Sequence, residues 1–369
     1  MRTLTTYMCA WAAAWGLLLA GCGSKTGPSG SGGAAGQSET GGSGSGGVVE
    51  TGGSVGSGGL QGSGGRTGTG GRTGTGGSAP GGQTGTGGNL GTGGGATGDA
   101  SVPFSGDGSV GCGVSGAPTG VLTAQSITVG DKTRTYVLSV PKNYTSGTPW
   151  PLIFAWHGMG GSGSVAKSYF HLESNTATSA NIIVYPDGLP VGDASTGWDL
   201  NATGIDVALF DALLAFVSKN YCIDPNRVFT TGHSYGAMFT NNLACYRGDV
   251  LRAIAPVAGM PPFGRNVTCT GNVAAWIIHG ENDPTVDFTQ GGIATRDFWL
   301  GKNGCSTESV AVSPTGCVEY QNCQPDLPVG WCVHDEGHDW PVAKTTGCPD
   351  GGVCFDAGPS IIAFFARFK

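Results

Sequence analysis

Short apolar runs alternate with stretches of helical spacing along the C-terminal two-thirds of the chain. Leu152 to Trp156, Ile182 to Tyr185, Arg227 to Thr231, Ala253 to Ala258, Ala274 to His279 and Trp331 to Asp335 lack inside–outside alternation. That pattern suits strands covered on both faces of a parallel sheet. Between them fall helical segments around Val165 to Thr176, from Asp206 to Tyr221, from Ala237 to Tyr246 and from Ile361 to Phe368. The Asp206 helix carries Val207, Phe210, Leu214 and Val217 at helical spacing, a stripe that belongs to the core. Asp206 itself is read as a helix N-terminal residue. Ahead of these elements, Thr128-Val129 and Thr135 to Val140 flank the turn Gly130-Asp131, which predicts an antiparallel hairpin. Strand–helix alternation then predicts an α/β fold, a mainly parallel sheet with helices on both faces and a site at the strand C-termini.

The first third of the chain has a different pattern. Residues 1–21 combine Arg2 with an apolar stretch from Tyr7 to Ala20, as in a secretory signal peptide. They end in Leu19-Ala20-Gly21-Cys22, which resembles a bacterial lipobox and marks Cys22 for lipidation. From there to residue 110 the chain is Gly, Ser and Thr with almost no large apolar side chain, including two imperfect repeats, Arg66 to Gly71 and Arg72 to Gly77. Such a segment cannot offset its ordering entropy by burial and is expected to be a disordered tether, spanning roughly 50 Å as a flexible coil. Residues 111–369 remain for one folded domain. These features predict an exported lipoprotein at the outer membrane or cell surface, monomeric and membrane-bound only through its lipid.

The formal net charge of −7 with no basic run argues against nucleic acid as a partner. Of 12 cysteines, setting aside Cys9 and Cys22 leaves an even number in the folded domain, as expected for disulfides formed after export. Cys317 with Cys323 and Cys348 with Cys354 flank short loops and are the pairings expected. No histidine pair has metal-ligand spacing, and neither metal nor cofactor is expected.

Candidate chemistry centres on Gly232-His233-Ser234-Tyr235-Gly236, between the Arg227 strand and the Ala237 helix. This is the G-x-S-x-G nucleophile elbow, in which glycines permit a sharp turn that exposes the serine hydroxyl. Upstream, the Leu152 strand breaks into His157-Gly158-Met159-Gly160-Gly161. A backbone N–H there, at Met159 or one residue away, can pair with the Tyr235 N–H as an oxyanion hole. An acid is expected after a late strand, and Glu281, Asp283 and Asp287 all follow the Ala274 strand; Asp283 is the favoured one. Two histidines lie beyond it. His334 falls inside a strand, whereas His338 follows Gly337 in a loop that can swing to the serine, so His338 is the expected base. Trp198 and Trp340 are candidates for stacking on an aromatic acyl group.

With these residues in place the sequence resembles the alpha/beta-hydrolase esterases grouped with feruloyl esterases of carbohydrate esterase family 1 and poly(3-hydroxybutyrate) depolymerase-like proteins. The likeness runs through Tyr221 to Phe229, Arg252 to Pro256 and Arg296 to Trp299. It is most specific in Cys317 to Cys323, Pro328 to Cys332 and Gly337-His338. It implies a Ser234–His338–Asp283 triad acting through an acyl-enzyme on a feruloylated plant cell-wall polysaccharide or its oligosaccharides. No cysteine directly precedes Ser234 or His338, so a disulfide-bridged triad is not expected. Hydroxyalkanoate or acetylxylan esterase activity, and a catalytically silent surface-binding module, are the alternative readings.

Overall fold

A computed structural model of the chain describes residues 104–105, 108–173, 180–191, 195–263, 267–342 and 355–369. The signal segment, Cys22, nearly all of the tether, and Cys348 and Cys354 lie outside these residues.

The described residues form a ten-stranded sheet. In chain order its strands are β1 (Gly120–Val129), β2 (Lys132–Val140), β3 (Trp150–Trp156) and β4 (Ile182–Pro186). After a small separate hairpin, β5 (Leu189–Val191) and β6 (Ser195–Gly197), come β7 (Ile223–His233), β8 (Ala253–Val257) and β9 (Ala274–Gly280). The last are β10 (Ser309–Val312), β11 (Cys317–Tyr320) and β12 (Val329–His334). Across the sheet the order is β10-β11-β12-β9-β8-β7-β3-β4-β2-β1. The run from β12 to β4 is parallel throughout, and antiparallel strands close each edge.

Among the described residues five α-helices form: α1 (Gly163–Phe170), α2 (Ile205–Asn220), α3 (Tyr235–Tyr246), α4 (Ala294–Asn303) and α5 (Ala357–Phe365). Period-two alternation along β3 separates the two cores. Leu152, Phe154 and Trp156 pack with Phe210 of α2, Phe239 of α3 and Trp299 of α4. Ile153 and Ala155 pack on the opposite face with Phe170 of α1 and Ile361 of α5. Helices on both faces leave the central strands with no solvent-facing side, which accounts for their unbroken apolar runs. The mainly parallel sheet with helices on both faces is the one the strand–helix alternation predicted, and it is an alpha/beta-hydrolase fold, as the family resemblance implied.

Helix α1 is shorter than its sequence pattern suggested. It is capped by Ser162, whose hydroxyl accepts from Val165 N, and it stops at His171, which adopts the left-handed conformation. The separate hairpin β5–β6 and the edge hairpin β10–β11 had no clear signal, being short and partly exposed.

Four disulfides form among the described residues: Cys112–Cys222, Cys245–Cys269, Cys305–Cys323 and Cys317–Cys332. The expected Cys317–Cys323 bridge is therefore incorrect. Cys317 opens β11 and Cys323 lies beyond its end, so extended backbone carries them apart. The antiparallel register instead sets Cys317 opposite Cys332 on β12. The Cys348–Cys354 expectation falls on residues outside those described.

Candidate active site

The elbow is the sharpest feature of the backbone. Strand β7 ends at His233, α3 begins at Tyr235, and Ser234 between them has φ 56° and ψ −118°. A non-glycine residue with positive φ costs on the order of 1–3 kcal/mol and persists only where its surroundings over-determine it. They do so here. Ser234 N–H donates to Val257 O at 3.0 Å, and Ser234 O accepts from Ala237 N and Met238 N at 2.9 and 3.0 Å. The flanking glycines are steric requirements. A Cβ on Gly236 would lie 2.0 Å from Trp156 O, and one on Gly232 would lie 2.5 Å from the Gly236 backbone.

The late loops bring two of the other expected residues to this serine. His338 Nε2 lies 2.7 Å from Ser234 Oγ, and its Nδ1 lies 2.7 Å from Asp283 Oδ2. The other oxygen, Asp283 Oδ1, accepts from Thr285 N and Val286 N, both at 2.8 Å. Burial alone would raise the Asp283 pKa; the hydrogen bonds from His338, Val286 and Thr285 outweigh it and hold the carboxyl below its ordinary value. Asp283 is thus an acceptor-only carboxylate, so His338 Nδ1 carries the proton and Nε2 is free to accept from the Ser234 hydroxyl.

The competing residues go elsewhere. Glu281 is exposed, and Asp287 caps the following π-helical turn, Phe288–Ile293, by accepting from Thr289 N and Gln290 N. His334 is fully buried at the end of β12, where burial pushes its pKa down to about 4. The acid and base loops are tied to each other: Glu281 N–H donates to His334 O, and Asn282 Nδ2 donates to Asp335 O.

On the other side of the serine, a Cβ on Gly158 would sit 3.5 Å from Ser234 Cβ, so the Gly158 backbone, one residue before Met159, lies beside Ser234. His157 supports this turn. Its Nε2 accepts from Gly188 N at 2.9 Å, so Nδ1 is the protonated nitrogen and donates to Gly158 O at 2.6 Å. The β5–β6 hairpin adds a further clasp, with Gly160 N–H donating to Thr196 O and Thr196 Oγ1 donating to Gly161 O. Tyr235 opens α3, where an N–H has no intrahelical acceptor. Asp206 lies in the first turn of α2, as read from the sequence, but is buried in an ion pair with Arg134 at 2.6 Å. Arg134 also donates to Asp187 O, fixing the loop that faces His157.

Trp198 and Trp340 do not line an open pocket. Trp198 is 0 % exposed, packs on Trp156, Phe239 and His157, and donates its indole N–H to His157 O. Trp340 is 1 % exposed and stacks on Phe170 at 3.9 Å. Both rings anchor the loops that carry site residues. Sequence reasoning underrated His233, whose ring lies 5.0 Å from that of His338 and 5.7 Å from that of Tyr169. Burial, aided by the neighbouring His338, pushes its pKa down to about 3.

Fold and site geometry together define an alpha/beta hydrolase with a serine–histidine–aspartate arrangement at the strand C-termini. Comparison with characterised proteins narrows this. The chain is 36 % identical over 283 residues to feruloyl esterase D of Neurospora crassa, covering 71 % of this chain and 91 % of that one. It is 32 % identical over 254 residues to feruloyl esterase C of Emericella nidulans, covering 65 % and 87 %. No protein-family model matches the chain. Among solved structures, acetyl xylan esterase from Aspergillus awamori superposes with a TM-score of 0.50 at 20 % identity, covering 65 % of this chain and 98 % of that one, a likeness of fold alone. The chain belongs to the feruloyl esterase family of carboxylic ester hydrolases.

Proposed function

We propose that the protein is an exported serine esterase that hydrolyses hydroxycinnamoyl esters of plant cell-wall polysaccharide through Ser234, His338 and Asp283. The observation that carries this reading is the continuous chain of 2.7 Å hydrogen bonds from Asp283 through His338 to Ser234. The names of the relatives support the feruloyl acyl group.

His338 Nε2 takes the Ser234 proton as Oγ bonds to the ester carbonyl carbon. Asp283 stabilises the resulting imidazolium without taking its proton. The carbonyl oxygen becomes an oxyanion and accepts from the Met159 and Tyr235 N–H groups. As the tetrahedral intermediate collapses, the carbon–alkoxy bond breaks and the alcohol leaves with the proton from His338. Water, deprotonated by the same Nε2, then attacks the acyl-enzyme and releases the carboxylic acid. With Trp198 and Trp340 in the core, aromatic recognition falls to groups nearer the serine. Met159, 46 % exposed, is an adaptable apolar wall for it.

In this reading residues 1–21 direct export, Cys22 bears the lipid, residues 22–110 form the tether, and residues 111–369 act as a monomeric catalytic domain. The four disulfides support an oxidising compartment. Cys22→Ser should abolish incorporation of labelled palmitate and release the enzyme from membranes; retention would refute the anchor.

The substrate is tested by comparing hydrolysis of methyl ferulate, a short acyl ester and a 3-hydroxybutyrate oligomer. Preference for ferulate supports the assignment, whereas preference for either competitor keeps the mechanism and replaces the substrate. Failure of Ser234 to react with a fluorophosphonate probe would leave only a binding role for the fold.

A further inference from the structure

Asp283 has a second histidine beside it, which the mechanism above does not use. His279, on β9, places Nε2 2.9 Å from Val286 O and 3.4 Å from Asp283 Oδ2, and the side chains of His279 and Asp283 are 1 % and 0 % exposed. A carbonyl can only accept, so Nε2 carries the proton; the buried Nδ1 has no hydrogen-bond partner, as fits a neutral ring. Little room is left for the ring to turn. A Cβ on Gly292 would lie 2.7 Å from its Cγ and one on Gly291 3.2 Å from its Cε1, while Phe288 meets it edge-on.

Val286 is therefore held from both sides. Its C=O accepts from His279 and its N–H donates to Asp283 Oδ1. We infer that His279 is a positioning residue for the reaction: in its neutral Nε2–H form it clamps the Asp283–Val286 turn and so aims the carboxylate at His338. The inference rests on the reading of Ser234, His338 and Asp283 as the catalytic triad. The charged and titratable groups around His279 are Asp283 and Asp287 on its own loop, His338 and His334 from the β12 side, and His233 from the elbow. Burial lowers the His279 pKa, in keeping with a neutral ring.

The test uses the full chain with His279→Gln, whose amide reaches the position of Nε2, and His279→Asn, whose amide stops short near Nδ1. The readouts are kcat and KM for a p-nitrophenyl ester across pH, alongside melting temperature, with Ser234→Ala as control. We expect His279→Asn to lower kcat about tenfold or more with KM unchanged, since small misplacements of reacting groups cost that much or more. His279→Gln should recover most of kcat. Equal kcat in His279→Asn, whatever its melting temperature, would mean that His279 only packs the loop. Wild-type enzyme supplies an independent check by nitrogen–proton NMR, in which an Nδ1-protonated or charged His279 at neutral pH overturns the inference. Turnover by Ser234→Ala would instead refute the triad itself.

Discussion

Ser234 and the Asp283–His338 pair reach the same point under different kinds of constraint. The serine sits on one continuous strand–turn–helix unit whose shape is forced by contacts within a few residues and against the ends of β3 and β8. The acid and base come from two loops 55 residues apart in sequence, joined by hydrogen bonds between the loops and anchored by β9 and β12. Ser234 is thus placed by steric necessity, and the Asp283–His338 pair by long-range packing. Damage to the elbow should accordingly remove chemistry or folding outright, while damage to the late loops should degrade alignment by degrees.

The largest effect is expected at the elbow. Ser234→Ala should lower kcat by about 10⁶-fold with little change in melting temperature, as measured by ester turnover and thermal unfolding. Gly236→Ala tests the steric half of the comparison. Its Cβ would meet backbone oxygens of Trp156 and His157, so loss of soluble folded protein is expected, and a well-folded active variant would show that the elbow yields. On the relay side, Asp283→Asn should cost about 10⁴-fold in kcat, because an amide can present its N–H to His338 and favour the wrong tautomer.

Disulfide removal sharpens the contrast between stability and alignment. Cys317–Cys332 encloses 15 residues of separation and fastens the strand that leads to His338. Replacing both cysteines by serine should cost about 3 kcal/mol and also lower kcat. Cys112–Cys222, with a separation of 110, should cost nearer 4.7 kcal/mol on loop entropy yet leave kcat unchanged, because Cys222 precedes β7 at the end opposite Ser234.

The smallest effect concerns pH. His334 titrates near its ordinary value when unfolded but only at about 4 when folded. Between these limits the unfolded chain binds the extra proton, so stability is complete above about pH 6.5 and declines as pH falls toward 4. Asp283, with its lowered pKa, contributes stability above the ordinary carboxylate range that is lost on further acidification. Melting temperature should therefore drop on acidification from pH 6.5, and His334→Leu should lessen but not remove that slope, since His233, held down to about 3, adds to it.

How much was legible in the sequence follows the same division. The elbow, the buried strands and the choice of His338 over His334 could all be read from local pattern, because glycine spacing, unbroken apolar runs and a loop position after a strand are local properties. Helix α1 was overextended because its left-handed stop falls on His171, a residue with no strong breaker signal. The role of His279 was missed for a related reason. A histidine ending an apolar strand looks like packing, and its partner Val286 O is a backbone atom that no sequence pattern displays.

By itself the sequence determined the α/β alternation, the elbow serine and the chain order of Ser234, Asp283 and His338, all of which depend on residue type and near neighbours. Only the tertiary structure decided which cysteines pair, because strand register and not spacing puts Cys317 opposite Cys332. It also removed Trp198 and Trp340 from the pocket: a tryptophan beside a reactive loop has the same local sequence whether it faces substrate or core, and the depth of packing around it settles the matter.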